Sequence, residues 1–260
     1  MNVDKILSGL DKWEDDEIPA DLLLDAVDAK EEITPHLIRA VEAVAKNPAE
    51  FSREDSGQLY YWAVYLLTHF EADESFPAML DLFALNKTEF RPLVFDIIAE
   101  DGAMILANLC GGNIEPICAI LHDTEAADES RGQAAIALGF RCLGGELEPE
   151  RIEAEFRRAL ETLSEKDVLL GMELVNGAVD LQLRGLAPDV TRAFDRGVVK
   201  QDDFDFVAEW LHDPDFEPPP PYMLLHQSIE DIVEFFESKL EEERMLEEFG
   251  DGDDEAETGI

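Results

Sequence analysis

The sequence feature that most constrains the fold is a series of short apolar blocks between residues 57 and 121. The blocks are 8 to 13 residues long and are separated by prolines, glycines and pairs of acidic residues. The first block, QLYYWAVYLLTHF, is apolar on nearly every side of a helix, so it must be covered on more than one face. Apolar periodicity alone does not separate short buried helices from short buried strands. The choice therefore depends on the residues between the blocks.

Those intervening residues favour helices. Proline suits the first turn of a helix because the N–H that it lacks has no partner there. Six prolines precede apolar residues spaced three and four apart, and Thr34 and Ser75 stand near two of them as predicted N-caps. The six are Pro35, Pro77, Pro92, Pro116, Pro149 and Pro188.

The spacing of these prolines indicates a repeat. Pro35 and Pro77 are 42 residues apart, and the next intervals, to Pro116, Pro149 and Pro188, are 39, 33 and 39 residues. Repeats built from two helices have periods of roughly 33 to 47 residues. The sequence therefore predicts an all-α fold in which helix pairs stack as an α-solenoid.

The repeat domain is predicted to occupy residues 1–213, with residues 1–50 as N-terminal capping helices. Pro19 and Pro35 are predicted to open two of these helices. They are only half apolar, as expected of the end layer of a stack.

Glycines are predicted to end several helices of the central region. The pairs Gly111-Gly112 and Gly144-Gly145 are helix stops, and Asp101-Gly102 is predicted to divide two helices at a sharp corner. The segment Asp128–Leu143 is predicted to be one helix, whose small residues suit close helix–helix approach. Ser164 and Asp167 are predicted to start another.

Three further segments follow the repeat domain. Residues 214–221, which include four consecutive prolines, are predicted to be a stiff connector, with a docking ligand for an aromatic groove as the alternative. Residues 222–248 are predicted to form an amphipathic helix that either packs back on the repeats or serves a partner. Residues 249–260 are predicted to be a disordered acidic tail. The apolar stripe of the helix consists of Leu225, Ile229, Ile232, Val233, Phe236 and Leu240.

The charge of the chain is extreme. It carries 61 acidic and 20 basic residues, for a formal net charge of −41. Such a surface repels polyanions, which argues against nucleic-acid and membrane partners. Three interpretations stay open: adaptation to high salt, a solvated acidic surface without special meaning, and a mimic that binds basic proteins.

Location is predicted from what the sequence lacks. No run of 18 apolar residues and no signal peptide is visible, so a cytoplasmic location is expected. The three cysteines, Cys110, Cys118 and Cys142, are predicted to be reduced thiols.

Candidate chemistry is sparse. Cys118 and His122, four residues apart with Cys110 just before, resemble part of a zinc site, but the sequence offers no fourth ligand nearby. Glu100-Asp101 and Asp202-Asp203 are candidate paired carboxylates, and helix-terminal residues that complement the helix dipole are the alternative. A cluster of aromatic residues is a candidate ligand surface that core packing explains equally well. It consists of Tyr60, Tyr61, Trp62 and Tyr65.

The five histidines are scattered over different predicted helices, and the sequence contains no recognised nucleophile, phosphate or dinucleotide motif. The sequence therefore predicts no catalytic, cofactor-binding or metal-binding residue. The histidines are His36, His69, His122, His212 and His226.

Three stretches resemble a bacterial family of HEAT-like proteins, domain of unknown function eleven eighty-six. They are YYWAVYLLTHFEADESFPAMLDLFAL, DIIAEDGAMILANLCGGNIEPICAIL and ESRGQAAIALGF, and the similarity covers roughly residues 59–211. The resemblance implies an all-α repeat fold and brings no established activity or catalytic residue. Some relatives end in a cysteine-rich metal-binding motif, which this chain lacks because no cysteine follows Cys142.

The sequence therefore favours a non-enzymatic scaffold that presents a concave face, along the second helices of its pairs, to a protein partner. One alternative is an enzyme or small-ligand binder with a pocket lined by Glu100, Asp101, His69 or Tyr65. The other is an acidic decoy for basic or nucleic-acid-binding proteins.

Overall fold

The computed structural model describes residues 2–12, 18–51, 59–200, 206–213, 215–218 and 231–250, apart from the side chains of 87–96 and 242–250. Within these residues the fold is all-helical, with thirteen α-helices and no β-strand. The helices are α1 Val3–Leu10, α2 Ala20–Asp28, α3 Lys30–Lys46, α4 Leu59–His69, α5 Phe76–Phe83, α6 Lys87–Leu109, α7 Glu115–His122, α8 Asp128–Leu143, α9 Pro149–Thr162, α10 Val168–Asp180, α11 Ala187–Asp195, α12 Val207–His212 and α13 Ile232–Gly250.

Four of the six prolines open helices as predicted. Pro77, Pro116, Pro149 and Pro188 lie at the first or second position of α5, α7, α9 and α11. Ser75 takes the N-cap position of α5, although its side chain makes no capping hydrogen bond. At these four positions proline therefore marks the helix start, as its fixed φ and missing N–H favour.

Pro35 and Pro92 do not open helices, and the prediction is wrong there. Each is the sixth residue of its helix, α3 or α6. Thr34 is accordingly not an N-cap, and its hydroxyl donates to the carbonyl of Lys30 at 2.7 Å inside α3. A proline this close to the start removes one backbone hydrogen bond. Starting α3 at Lys30 buries Ile33 completely, and that burial offsets the loss.

The predicted corner at Asp101-Gly102 is also absent, because α6 runs through it without a break. The side chain of Gln133, from α8, donates to the carbonyl of Ala99 at 2.7 Å and accepts from the N–H of Ala103 at 2.8 Å. An α-helix pairs these two backbone groups with each other. Gly102 lets Gln133 approach, since a Cβ at Gly102 would lie 3.1 Å from that side chain.

The glycine stops are confirmed. Gly111, Gly112, Gly145 and Gly197 have φ angles between 53° and 82°, a region that favours glycine, and they follow α6, α8 and α11. The segment Asp128–Leu143 forms one helix, α8, as predicted.

Each central helix packs against the next but one along the chain. The odd row, α3, α5, α7, α9 and α11, is linked by such contacts from one member to the next. The even row, α4, α6, α8 and α10, is linked in the same way. Contacts between neighbours, such as α3 with α4 and α7 with α8, join the two rows.

Helix α8 lies at the centre of the core. It packs against α6, α7, α9 and α10, and its residues 134–140 are all buried. Alanine and glycine fill four of these seven positions, so the backbones of neighbouring helices can approach closely.

The C-terminal helix packs back on the repeats. α13 contacts α2 and α4, and Ile232 and Phe236 are buried. Half of the predicted 214–221 connector (residues 214 and 219–221), residues 222–230 of the predicted C-terminal segment and residues 251–260 of the predicted tail lie outside the described residues. No helix in the described part combines the length and apolarity that crossing a membrane requires.

Candidate functional site

One polar cluster in the described part of the chain joins three helices. Tyr65 of α4 donates its hydroxyl hydrogen to the Asp101 carboxylate of α6 at 2.7 Å. The Lys239 ammonium of α13 forms an ion pair with the same carboxylate and lies 2.8 Å from Glu100 Oε2. Tyr65 and Asp101 are buried, whereas Glu100 lies on the exposed rim.

Aromatic rings surround this cluster. The ring of Phe236 lies 4.7 Å from that of Trp62 and 4.8 Å from that of Tyr65, centroid to centroid. Phe235 lies 5.7 Å from Tyr65, and the Lys239 ammonium is 5.5 Å from the Phe235 ring. These are contact distances for edge-on and tilted ring pairs and for cation–π attraction. The aromatic cluster of α4 is therefore core, and α13 completes it.

The environment of the cluster keeps the Tyr65 hydroxyl and the Lys239 ammonium protonated. Burial, and then the charge of Asp101, raise the pKa of Tyr65 well above its ordinary value of 10.0. Burial alone would lower the pKa of Lys239, but the charges of Asp101 and Glu100 and the hydrogen bonds to them raise it overall. Near neutral pH Tyr65 is thus a phenol and Lys239 an ammonium. A general base or a nucleophile acts in its deprotonated form. Because Tyr65 and Lys239 keep their protons, they are better suited to hold charged groups together.

Glu100 and Asp101 are not helix-terminal residues, contrary to the dipole interpretation, because α6 extends eight residues beyond Asp101. His69, predicted to line the same pocket, ends α4 with its ring 6.0 Å from that of Phe70. The other predicted acidic pair, Asp202-Asp203, lies outside the described residues.

The predicted Cys118–His122 pair is engaged in other contacts. His122 Nε2 lies 2.7 Å from Glu155 Oε2, and Arg151 bridges Glu155 and Glu115 at 2.9 and 3.0 Å. Burial, and then the charge of Glu155, raise the pKa of the Cys118 thiol to about 11, so it stays protonated. In the described part of the chain, no group of three or more metal-ligating side chains is arranged to hold an ion.

Two further polar groups were not predicted, one buried around Arg131 and one half-buried around Glu173. Arg131 of α8 is 1% exposed, forms an ion pair with Asp167 at 2.6 Å and donates to the carbonyl of Leu121 at 3.2 Å. On α10, burial and the Asp180 carboxylate raise the pKa of Glu173 to about 7, and burial raises that of Asp180 to about 6. Glu173 packs beside Gly132 of α8.

Lys239 was not among the site residues predicted from the sequence. The available signal was its position three residues after Phe236 on the apolar stripe of a helix, in a chain with only eight lysines. Glu173 carried no local signal, because its burial depends on α8, some 40 residues away in sequence.

Comparisons with known proteins identify relatives without an assigned role. The model of a family described as "Protein of unknown function (DUF1186)" matches residues 1–209. Two curated proteins from Chlamydia muridarum (strain MoPn / Nigg) and Chlamydia trachomatis serovar D, each described as "Uncharacterized protein", are 26% identical over 110 residues. That alignment covers 42% of this chain and 44% and 43% of the two proteins, so the chain spans less than half of their length. No solved structure matches the chain.

Proposed function

Because the chain belongs to the DUF1186 family of unknown function, we propose its role from its architecture: a non-enzymatic α-solenoid scaffold that binds a protein partner. The family resemblance predicted from the sequence is confirmed. The match extends to residue 1, beyond the predicted start at residue 59.

The observation that carries the proposal is the packing of each central helix against the next but one. In a stack of helix pairs, each helix contacts its equivalent in the neighbouring pair, which produces two parallel rows. The contacts within the odd row and within the even row have this order from α3 to α11. The intervals of 33 to 39 residues between the helix-opening prolines Pro77, Pro116, Pro149 and Pro188 agree with the length of one helix pair.

A binding role suits the strongest polar cluster better than the alternative of an enzyme with a pocket near Glu100 and Asp101. The side chain of Lys239 occupies the space beside those carboxylates, and Phe236 covers Tyr65. The phenol and the ammonium hold their protons near neutral pH. Such a cluster holds α13 against α4 and α6, as the contacts of a helix-binding groove do.

We propose that the acidic surface keeps the fold soluble in high salt rather than mimicking a nucleic acid. Exposed acidic residues lie on helices at both ends and in the middle of the chain, among them Asp4, Glu31, Glu115 and Glu150. A mimic concentrates its charge on one face. The test is a melting curve in low and in molar salt, where a rise in melting temperature well beyond charge screening is expected. A rise that stops once screening is complete would remove the salt interpretation.

The scaffold is tested by affinity capture from the native host at its own salt concentration, followed by reconstitution of the purified pair. The expected result is a stoichiometric protein partner that slows amide exchange along the helical array. Native mass spectrometry of the captured chain is the second arm. A bound small molecule without a protein partner would contradict the scaffold and favour the ligand-binding alternative.

A further inference from the structure

We propose that the surface formed by Tyr61, Trp62 and Tyr65 of α4 with Glu100 and Asp101 of α6 is a docking site for a partner's amphipathic helix. That helix carries two adjacent aromatic residues and a lysine three residues after the second. α13 is the chain's own occupant of this α4–α6 surface, and the partner helix displaces it. The inference rests on the proposed scaffold role and specifies its partner.

The shape of the contact supports a helix as the ligand. Ile232, Phe236 and Lys239 recur at spacings of four and three residues, so they share one face of α13. Ile232 and Phe236 are 1% and 4% exposed, while Glu234 and Glu237 on the other side of the helix are exposed. An anchor pattern of this kind is how amphipathic helices bind in grooves.

The negative charge of the α4–α6 surface favours a ligand helix with a basic residue at the position of Lys239. Asp101 is 4% exposed, and a buried carboxylate is costly unless it is paired. Tyr65 supplies one hydrogen bond, and the ammonium of Lys239 supplies the countercharge. With 61 acidic and 20 basic residues, the chain has few cations to place there. A ligand therefore needs a cation at this position, and an apolar or acidic residue would leave Asp101 uncompensated.

The site and its present occupant are separable along the chain. Tyr61, Trp62, Tyr65, Glu100 and Asp101 all lie within residues 1–209, which the family model matches. α13 begins at Ile232, outside that match. The docking surface thus lies within the residues that the family model matches, and its occupant lies outside them.

The outer face of α13 limits how tightly it is held. Glu234, Glu237 and Glu241 are exposed on a helix docked to a chain of net charge −41, so general repulsion opposes its docking. A helix with the same anchors and fewer acidic residues avoids that repulsion. This difference in repulsion is what lets such a partner compete with α13 for the surface.

The test measures binding of a fluorescent synthetic peptide with the sequence of residues 231–250 to the full-length chain. The wild-type chain should bind it weakly because α13 occupies the surface. Phe236→Ala in the chain weakens the occupant and should tighten peptide binding at least tenfold. Adding Asp101→Asn to that variant should reverse the gain at least tenfold. A peptide carrying Lys239→Met should bind as poorly as one carrying Phe236→Ala.

Circular dichroism establishes that each variant folds, and Lys239→Met in the chain replaces Phe236→Ala if the latter does not. The proposal is overturned if neither variant folds. It is also overturned if the peptide affinity of the chain is unchanged both by the substitution in α13 and by Asp101→Asn. A dimer on light scattering whose copies exchange α13 would also overturn it, since the occupant would be a second copy. Because no host partner enters this assay, its failure leaves the capture experiment on the scaffold role independent.

Discussion

The two halves of the even row bury acidic groups in different ways. In the α4–α6 half, the Asp101 carboxylate is neutralised by an ammonium from α13, a helix outside the family match. In the α8–α10 half, Arg131 of α8 pairs with Asp167 just before α10, and Glu173 holds a proton to about pH 7. The comparison indicates that the second half draws its countercharge from within the rows, whereas the first draws it from α13.

In the α8–α10 half, hydrogen bonds between a side chain of α8 and the backbone of α10 also join the two helices. The Asp128 carboxylate accepts from the N–H groups of Leu169 and Leu170 at 2.8 and 3.3 Å, which caps the start of α10. Ser164 donates to Asp167 at 2.6 Å, so the partner of Arg131 is fixed as well. Loss of the arginine there leaves the Asp167 carboxylate, whose side chain is 10% exposed, without its countercharge.

The largest effect is therefore expected for Arg131→Met. This change keeps the apolar stem and strands the Asp167 charge in the core, which should lower the free energy of unfolding by about 3–5 kcal/mol. Urea unfolding followed by circular dichroism measures it. Arg158→Met, on the exposed side of α9, is the control and should change stability little. Equal losses of unfolding free energy for Arg131→Met and Arg158→Met would contradict the special role of the buried Arg131–Asp167 pair.

A smaller loss is expected for Lys239→Met, about 2 kcal/mol, the usual worth of hydrogen bonds to a charged group. The loss is limited because Asp101 regains water once α13 leaves. The same urea experiment measures it, with exposed Lys166→Met as the control. A loss as large as that of Arg131→Met would mean that α13 cannot leave without global unfolding.

The pH dependence of stability tests the α8–α10 half. The folded chain keeps a proton on Glu173 to about pH 7, whereas the unfolded chain releases it near its ordinary pKa of 4.5. This contribution is fully present below pH 4.5 and is lost as pH rises to about 7, so stability should fall with rising pH. Glu173→Gln should flatten the slope between pH 5 and 7 by about 1 kcal/mol per pH unit.

The control for this slope is Glu150→Gln, because Glu150 is exposed at the start of α9. Its unfolding free energy should follow the wild-type pH profile. An unchanged slope in Glu173→Gln, measured by urea unfolding at each pH, would show that Glu173 does not carry the proton.

The smallest effect is expected for Tyr65→Phe. It removes one hydrogen bond to Asp101 and leaves the ring packing, so it should cost about 1.5 kcal/mol, the lower end for a hydrogen bond to a charged group. Combined with Lys239→Met, the two costs should not add, because both groups share one carboxylate. Strict additivity in a double-mutant cycle would contradict the three-residue cluster.

The sequence predicted the elements of the fold where local chemistry decides. Pro116, Pro149 and Gly145 act through the backbone of their own turn, and the structure agrees at each. The predictions of a helix start at Pro35 and a helix break at Gly102 were wrong because tertiary contacts determine the backbone there. Burial of Ile33 extends α3 ahead of Pro35, and Gln133 lies against the continuous α6 at Gly102.

The candidate site was only half predictable. Glu100, Asp101 and Tyr65 were identified, but as the lining of a pocket. Lys239, 138 residues beyond Asp101, fills the space that a ligand would need. Pairings across such a separation leave no periodic trace in a single sequence, so only the packed structure shows them.

Hydrogen–deuterium exchange of the full-length chain, wild type against Lys239→Met, tests most directly whether α13 is a detachable occupant. The account predicts that α13 exchanges through local opening, at least tenfold faster than α8, and that the substitution accelerates α13 and exposes α4 while leaving α8 unchanged. Exchange of α13, α4 and α8 at one common rate in both proteins would contradict it.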